Sequence, residues 1–147
     1  MNATRKKPVD LEHTVTELSL ALGQLLRRLR QGSDTGGLSW SQTSALARLD
    51  KAGPMTTAEL ARIEMVKPQS MGATLADLEQ EGLIERQSHP TDGRQVLFSL
   101  TEKGAEVRRR RSLAKHDWLI AAIAKLDPDE QRTLADAVAL FKRLGEP

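Results

Sequence analysis

A chain of 147 residues is enough for one domain and too short for two independent ones. It contains no cysteine, which excludes disulfides, thiol redox sensing and Cys-ligated zinc, and no run approaches the roughly 20 apolar residues that span a bilayer. A net charge of +2 is too slight to suggest nucleic acid by itself, so any DNA-binding charge has to be focused locally.

The charges near the N-terminus have no apolar run behind them, so no secretory signal is expected and the expected address is cytoplasmic. Leu11, Val15, Leu18, Leu22, Leu25, Leu26 and Leu29 then recur at helical spacing and predict an amphipathic helix that runs out at Gln31-Gly32-Ser33. Ser39 and Gln42 stand in capping-box spacing before a helix carrying Ala45, Leu46 and Leu49, which Gly53-Pro54 ends. Thr56 and Glu59 repeat the capping box before a short helix with Leu60 and Ile63 on one face. After a turn at Glu64-Met65-Val66, Pro68 opens the next helix, where its missing N–H has no partner to lose. Met71, Leu75 and Leu78 turn that helix inward, while Gln69, Ser70, Ala73, Thr74 and Asp77 lie on its other face. Gly82 follows as a left-handed cap.

Leu83-Ile84-Glu85-Arg86 reads as a strand, Pro90 and Asp92-Gly93 as turn residues, and Val96, Phe98 and Leu100 as the inward positions of a return strand. Thr101 caps a long helix carrying Leu113, Ile120 and Ile123. Asp127-Pro128 and Glu130 start a last helix, lined by Leu134, Val138, Phe141 and Leu144. The fold class is therefore mainly α with a small β-hairpin wing: a winged helix-turn-helix with long terminal helices. One domain over 1–147 is expected, with a DNA-binding lobe at 38–104 and helical dimerisation regions at 9–31 and 105–145.

The ordered set Leu78-Glu79, Gly82-Leu83-Ile84, Arg86, Asp92, Arg94, Leu100-Thr101 and Gly104 resembles the multiple-antibiotic-resistance regulator (MarR) family, over most of the chain from about Asp10 to Leu144. The resemblance implies a DNA-binding transcription factor, in most cases a repressor, that is a homodimer with intertwined terminal helices. The apolar stripes at the two ends could otherwise pack within one chain. A two-fold dimer would set its recognition helices roughly 34–36 Å apart on a (pseudo)palindromic operator. The alternative is a winged-helix protein-interaction module that has lost DNA binding.

In the helix after the turn, Gln69 suits an adenine edge, Ser70 either partner, and the Thr74 methyl a thymine methyl. Lys67 at the helix entry suits a phosphate, beside Pro68. Two departures from the family stand here: Lys67 replaces a small capping hydroxyl residue, and Ala73 and Asp77 occupy positions where relatives often carry basic residues. Electrostatic affinity is therefore assigned to the hairpin, with Arg94 entering the minor groove and Asp92 holding an arginine in position through a charge-assisted bond. The bland reading of Asp92 and Arg94 is a turn residue and a solvated charge; His89 at the wing tip could add a contact, and its bland reading is simple exposure. The run 108–111, four arginines, covers a full helical turn and reads by default as solvated faces and intramolecular pairs. Arg5, Lys6 and Lys7 form either a phosphate-contacting arm or a tail.

Catalysis finds no support, because His13, His89 and His116 lie in separate elements and none sits beside a plausible Ser and Asp set; His116-Asp117 reads as a helix-surface pair, and no metal or other cofactor is expected. The resemblance also implies release of DNA by a small aromatic or phenolic acid bound between the DNA-binding lobe and the terminal helices. Trp40 lies in the matching region as a candidate ligand wall or a packing residue; Trp118 reads as core.

Overall fold

The computed structural model describes residues 7–33 and 36–147. Arg5 and Lys6 of the N-terminal arm lie outside the described residues; Lys7 is exposed. Six helices and three strands follow in the order α1 (Leu11–Gly32), α2 (Trp40–Ala52), β1 (Met55–Thr56), α3 (Thr57–Ile63), α4 (Pro68–Gln80), β2 (Ile84–Ser88), β3 (Val96–Leu100), α5 (Glu102–Ile123) and α6 (Pro128–Leu144).

The capping chemistry forms at each expected start. Reciprocal capping boxes close at Ser39/Gln42, Thr56/Glu59 and Asp127/Glu130, and the Thr101 side chain accepts from the Gly104 N–H. Gly82 takes the left-handed conformation, φ 73°.

The wing is one part of a three-stranded antiparallel sheet of order β1-β3-β2. β1 was not expected: its two residues adjoin the Thr56 cap and show no alternation of their own, yet Met55 pairs with Phe98 and Thr56 with Leu97. Of the three inward positions expected on β3, only Phe98 is buried. Val96 is exposed because the hairpin leaves the core as it nears its tip, and Leu100 is half-buried against the core. On α3, Ala61 rather than Ile63 joins Leu60 in the core.

The buried apolar residues form one cluster, and every member lies between Ala45 and Phe98. Leu46, Leu60, Leu75, Leu78, Leu83 and Ile84 are its fully enclosed large side chains. α1 and α6 bury no residue, and α5 buries only Gly104. The lobe thus carries its own core, while the terminal helices hold apolar stripes against solvent. Val15, Leu25, Leu113, Ile120, Val138, Phe141 and Leu144 are all exposed.

The Leu100-Thr101 and Gly104 motif joins these two parts. Thr101 donates its hydroxyl to the Gly82 carbonyl at 2.6 Å and its N–H to the Leu83 carbonyl at 3.1 Å. A Cβ at Gly104 would stand 1.9 Å from the Leu83 carbonyl oxygen, so only glycine lets α5 leave the sheet this close to the strand.

Candidate nucleic-acid interface

The helix-turn-helix is α3, the turn Glu64-Met65-Val66, and α4. Backbone bonds from Glu64 N–H to the Leu60 carbonyl (2.9 Å) and Val66 N–H to the Ala61 carbonyl (3.0 Å) shape the turn. Met65 at its centre has φ 53°, an uncommon conformation for a non-glycine residue, and its side chain is 91% exposed.

On α4, burial of Met71, Leu75 and Leu78 fixes which face looks out. Lys67, Pro68, Gln69 and Ser70 are all exposed at its N-terminal end, and Thr74 is half-buried one turn later. Thr74 donates its hydroxyl back to the Ser70 carbonyl at 3.1 Å, which leaves the methyl as its outward chemistry. Lys67 is the N-cap residue and provides no side-chain cap. The first amides of α4 are therefore open to an anion, and the helix dipole favours one there. Ala73 and Asp77 are exposed.

The wing is fastened to α4 by Arg86, whose Nε donates to both Glu79 oxygens at 2.8 and 3.1 Å while its guanidinium lies 5.5 Å from the Phe98 ring centre. At the tip Arg94 is exposed. Asp92 does bond to Arg94, but through the backbone: its Oδ1 accepts from the Arg94 N–H at 3.0 Å, and the guanidinium is left to solvent. A carboxylate two residues before an N–H in a tight turn closes an Asx-turn more readily than it reaches a long side chain. His89 is more than exposed surface. It is half-buried, and its Nδ1 accepts from the Thr91 and Asp92 N–H groups at 3.2 and 3.1 Å. That acceptor role requires the tautomer with the proton on Nε2. His89→Ala should unfasten the tip and weaken DNA binding about threefold to tenfold, the worth of roughly one or two hydrogen bonds, with no change in thermal stability. Unaltered DNA affinity in a titration would show that the tip holds its shape without the imidazole.

A second feature lies behind this surface. Residues from α1, α2 and α5 enclose a cleft of about 580 Å³. Leu26, Leu29, Leu38 and Trp40 give it apolar walls; Arg30, Arg108, Arg111 and Lys115 also line it, and no carboxylate does. Trp40 is 55% exposed, with the Arg30 guanidinium 4.4 Å from its ring centre. The arginine run divides: Arg108 and Arg111, three residues apart, share the cleft face with Lys115, while Arg109 and Arg110 pair with Glu106. Arg108 also lies 3.6 Å from Asp50. Trp118 is half-buried, and its indole sits where a Gly32 Cβ would be, 2.1 Å from Cδ1.

Ser44, on the same cleft wall, donates its hydroxyl to Glu64 Oε2 at 2.5 Å, and Arg48 Nε donates to Glu64 Oε1 at 2.7 Å. Burial alone would raise the Glu64 carboxyl; the Ser44 and Arg48 hydrogen bonds and the Arg48 charge outweigh it and hold the group below its ordinary value. A carboxylate with a lowered folded-state value adds stability that is present above its unfolded value and lost as pH falls through the folded one.

The family model that matches this chain is that of the MarR family, over residues 38–96. An uncharacterized HTH-type transcriptional regulator of Mycobacterium leprae is 39% identical, and the match covers 88% of this chain and 90% of that one. The chain belongs to the MarR family. An HTH-type transcriptional repressor of Mycobacterium tuberculosis is 29% identical over 75% of this chain and 74% of its own length. The solved structure of a transcriptional regulator of Pseudomonas aeruginosa superimposes with a TM-score of 0.83 at 29% identity, covering 95% of this chain and 99% of that one.

As a MarR-family member the chain is a DNA-binding transcriptional regulator, which sets aside the interaction-module alternative. Lys67, Gln69 and Ser70 lie together at the exposed N-terminal end of α4, with Thr74 half-buried one turn on, and Arg94 lies on the separate hairpin tip. Trp40 stands apart from both, in the cleft. The turn-closing bonds of His89, the clasp of Arg86 on Glu79 and the grouping of cations in the cleft are features that reading the sequence did not reach. The spacing of Arg108, Arg111 and Lys115 was the available signal for the last of these. No helix among the described residues is long and apolar enough to cross a membrane.

Proposed function

We propose that the protein is a homodimeric repressor whose DNA grip is relaxed by a small aromatic anion in the cleft. The observation that carries the dimer is the division of the core: the lobe is complete, while α1 and α6 bury nothing and hold their leucines bare. In this reading 38–104 is the DNA-binding lobe, and 9–31 with 105–145 joins the two copies. Gln69, Ser70 and Thr74 read bases, Lys67 and the amides behind Pro68 hold a phosphate, and Arg94, on a tip shaped by Asp92, enters the minor groove. Repression is supported by the relative named a repressor. An anionic aromatic ligand is supported by a cleft whose lining holds Trp40, stacked with Arg30, and four cations but no acid.

Selection of sites from random duplex DNA should return a sequence with two-fold symmetry and half-sites one helical turn apart. Added 2-hydroxybenzoate, the simplest probe of the cleft chemistry, should bind with quenching of tryptophan fluorescence and release the selected duplex. Sites without a dyad would sink the dimeric reading. Fluorescence and DNA affinity both unmoved by the probe would sink the effector reading.

A further inference from the structure

The geometry points to Ser44 as the coupling residue of this protein: its single hydroxyl proton either fastens the helix-turn-helix turn through Glu64 or is taken by an anion in the cleft, and it cannot do both. This regulation rests on the effector reading of the cleft.

Ser44 faces both places. It lines the cleft with Arg108 and Arg111, and it donates at 2.5 Å to a carboxylate twenty residues along the chain. A serine hydroxyl has one proton and two lone pairs. With the proton given to Glu64, Ser44 presents only lone pairs to the cleft. An anion drawn in by the cations there would meet those lone pairs unfavourably, and it competes with Glu64 for the one proton; in the ligand-bound state the hydroxyl turns to the anion. The bond to Glu64 is then lost.

Glu64 is well placed to report that loss. It caps the C-terminus of α3 and opens the turn, its side chain is 15% exposed, and Ser44 and Arg48 are the two groups that hold its carboxylate to α2. The next residue, Met65, is in the left-handed region, so the turn is held in a conformation that it does not favour by itself. Pro68, the first residue of α4, follows three positions later. Loosening the Glu64 anchor releases the turn that sets where Gln69 and Ser70 point. No part of the core has to be repacked, because Leu60, Ala61 and Met71 stay buried on either side. The proton is thus contested between ligand and turn, and the two outcomes have opposite effects on DNA.

The test compares the parent protein with Ser44→Ala and Ser44→Thr in three measurements: affinity for the selected duplex, the same with saturating 2-hydroxybenzoate, and hydrogen exchange at the Met65 and Val66 amides. Alanine is favoured in a helix, so Ser44→Ala should fold, with a melting temperature lowered by about 2–5 °C for the one hydrogen bond it loses. Without the probe it should bind DNA about tenfold more weakly and exchange the two turn amides about tenfold faster, the loss expected for one charge-assisted hydrogen bond. It should still bind the probe, but the probe should no longer change its DNA affinity. Ser44→Thr, which keeps a hydroxyl, should restore the parent behaviour in all three. Parent-like DNA affinity and exchange in Ser44→Ala would overturn the proposal, as would release of that variant by the probe in the parent's proportion. If the parent itself fails to bind the probe, the effector reading falls. The probe-free measurements then decide the Ser44–Glu64 link alone.

Discussion

Val138→Glu combined with Leu144→Glu should give a folded monomer that has lost its operator. Both residues are exposed in the single chain, at 46% and 73%, so neither belongs to the buried core of one protomer. A destabilising effect can come only from a surface that covers them. If the second copy does so, each loses a burial worth about 1.5–3 kcal/mol, and two-fold symmetry counts each loss twice. Introducing carboxylates into the same desolvated seam adds the cost of burying an unpaired charge. Light scattering should therefore report half the parent mass while circular dichroism shows the same helix content. The monomer would engage one half-site at a time and lose the gain from simultaneous engagement, about a hundredfold or more in affinity. A dimer of unchanged mass would place the interface elsewhere. A monomer in the parent protein itself would leave the bare leucines without an occupant.

The parts of this molecule that could be read in the sequence are those determined within one turn of chain. Ser39 with Gln42, Thr56 with Glu59 and Asp127 with Glu130 satisfy their own helix ends, so their spacing alone predicted three starts. Met71, Leu75 and Leu78 likewise fixed the outward face of α4, and with it the grouping of Gln69, Ser70 and Thr74. What escaped depends on a partner supplied by the fold. β1 exists because Met55 meets Phe98 from across the sheet. Ser44 and Glu64 gave no sign of each other across twenty residues. Arg108 and Arg111 read as solvated until α1 and α2 closed a cleft over them. His89 read as exposed because its value lies in a lone pair aimed at two amides of its own turn, and that needs the turn to be built first.

The division between affinity and specificity should appear most clearly in Arg94→Ala set against Gln69→Ala. The basic groups of α4 are few: Lys67 is its N-cap, the helix has no basic residue in its first or last turn, and Asp77 is exposed. Its electrostatic share of binding is therefore small, and Arg94 on the wing has to supply more of it. An arginine neutralises phosphate charge and favours a narrow minor groove whatever the sequence around it. Its removal should weaken binding to operator and scrambled duplex alike, by about 1–3 kcal/mol for a well-placed contact, and should lower the slope of affinity against salt by about one counterion per protomer. The backbone bond to Asp92 survives this change, since it uses the N–H and not the side chain, so the wing keeps its shape and the loss can be assigned to the guanidinium. Gln69 is neutral and can act only by matching a donor–acceptor pattern on a base edge. Gln69→Ala should cost a similar amount on the operator, leave scrambled duplex unaffected, relax one base pair in each half-site and hold the salt slope where it was. Titrations of both variants at several salt concentrations separate the two outcomes. If Arg94→Ala matched the parent in every titration, the wing would lie off the DNA, and the charge that holds this regulator to its operator would have to come from Arg62, Lys67 or the N-terminal arm.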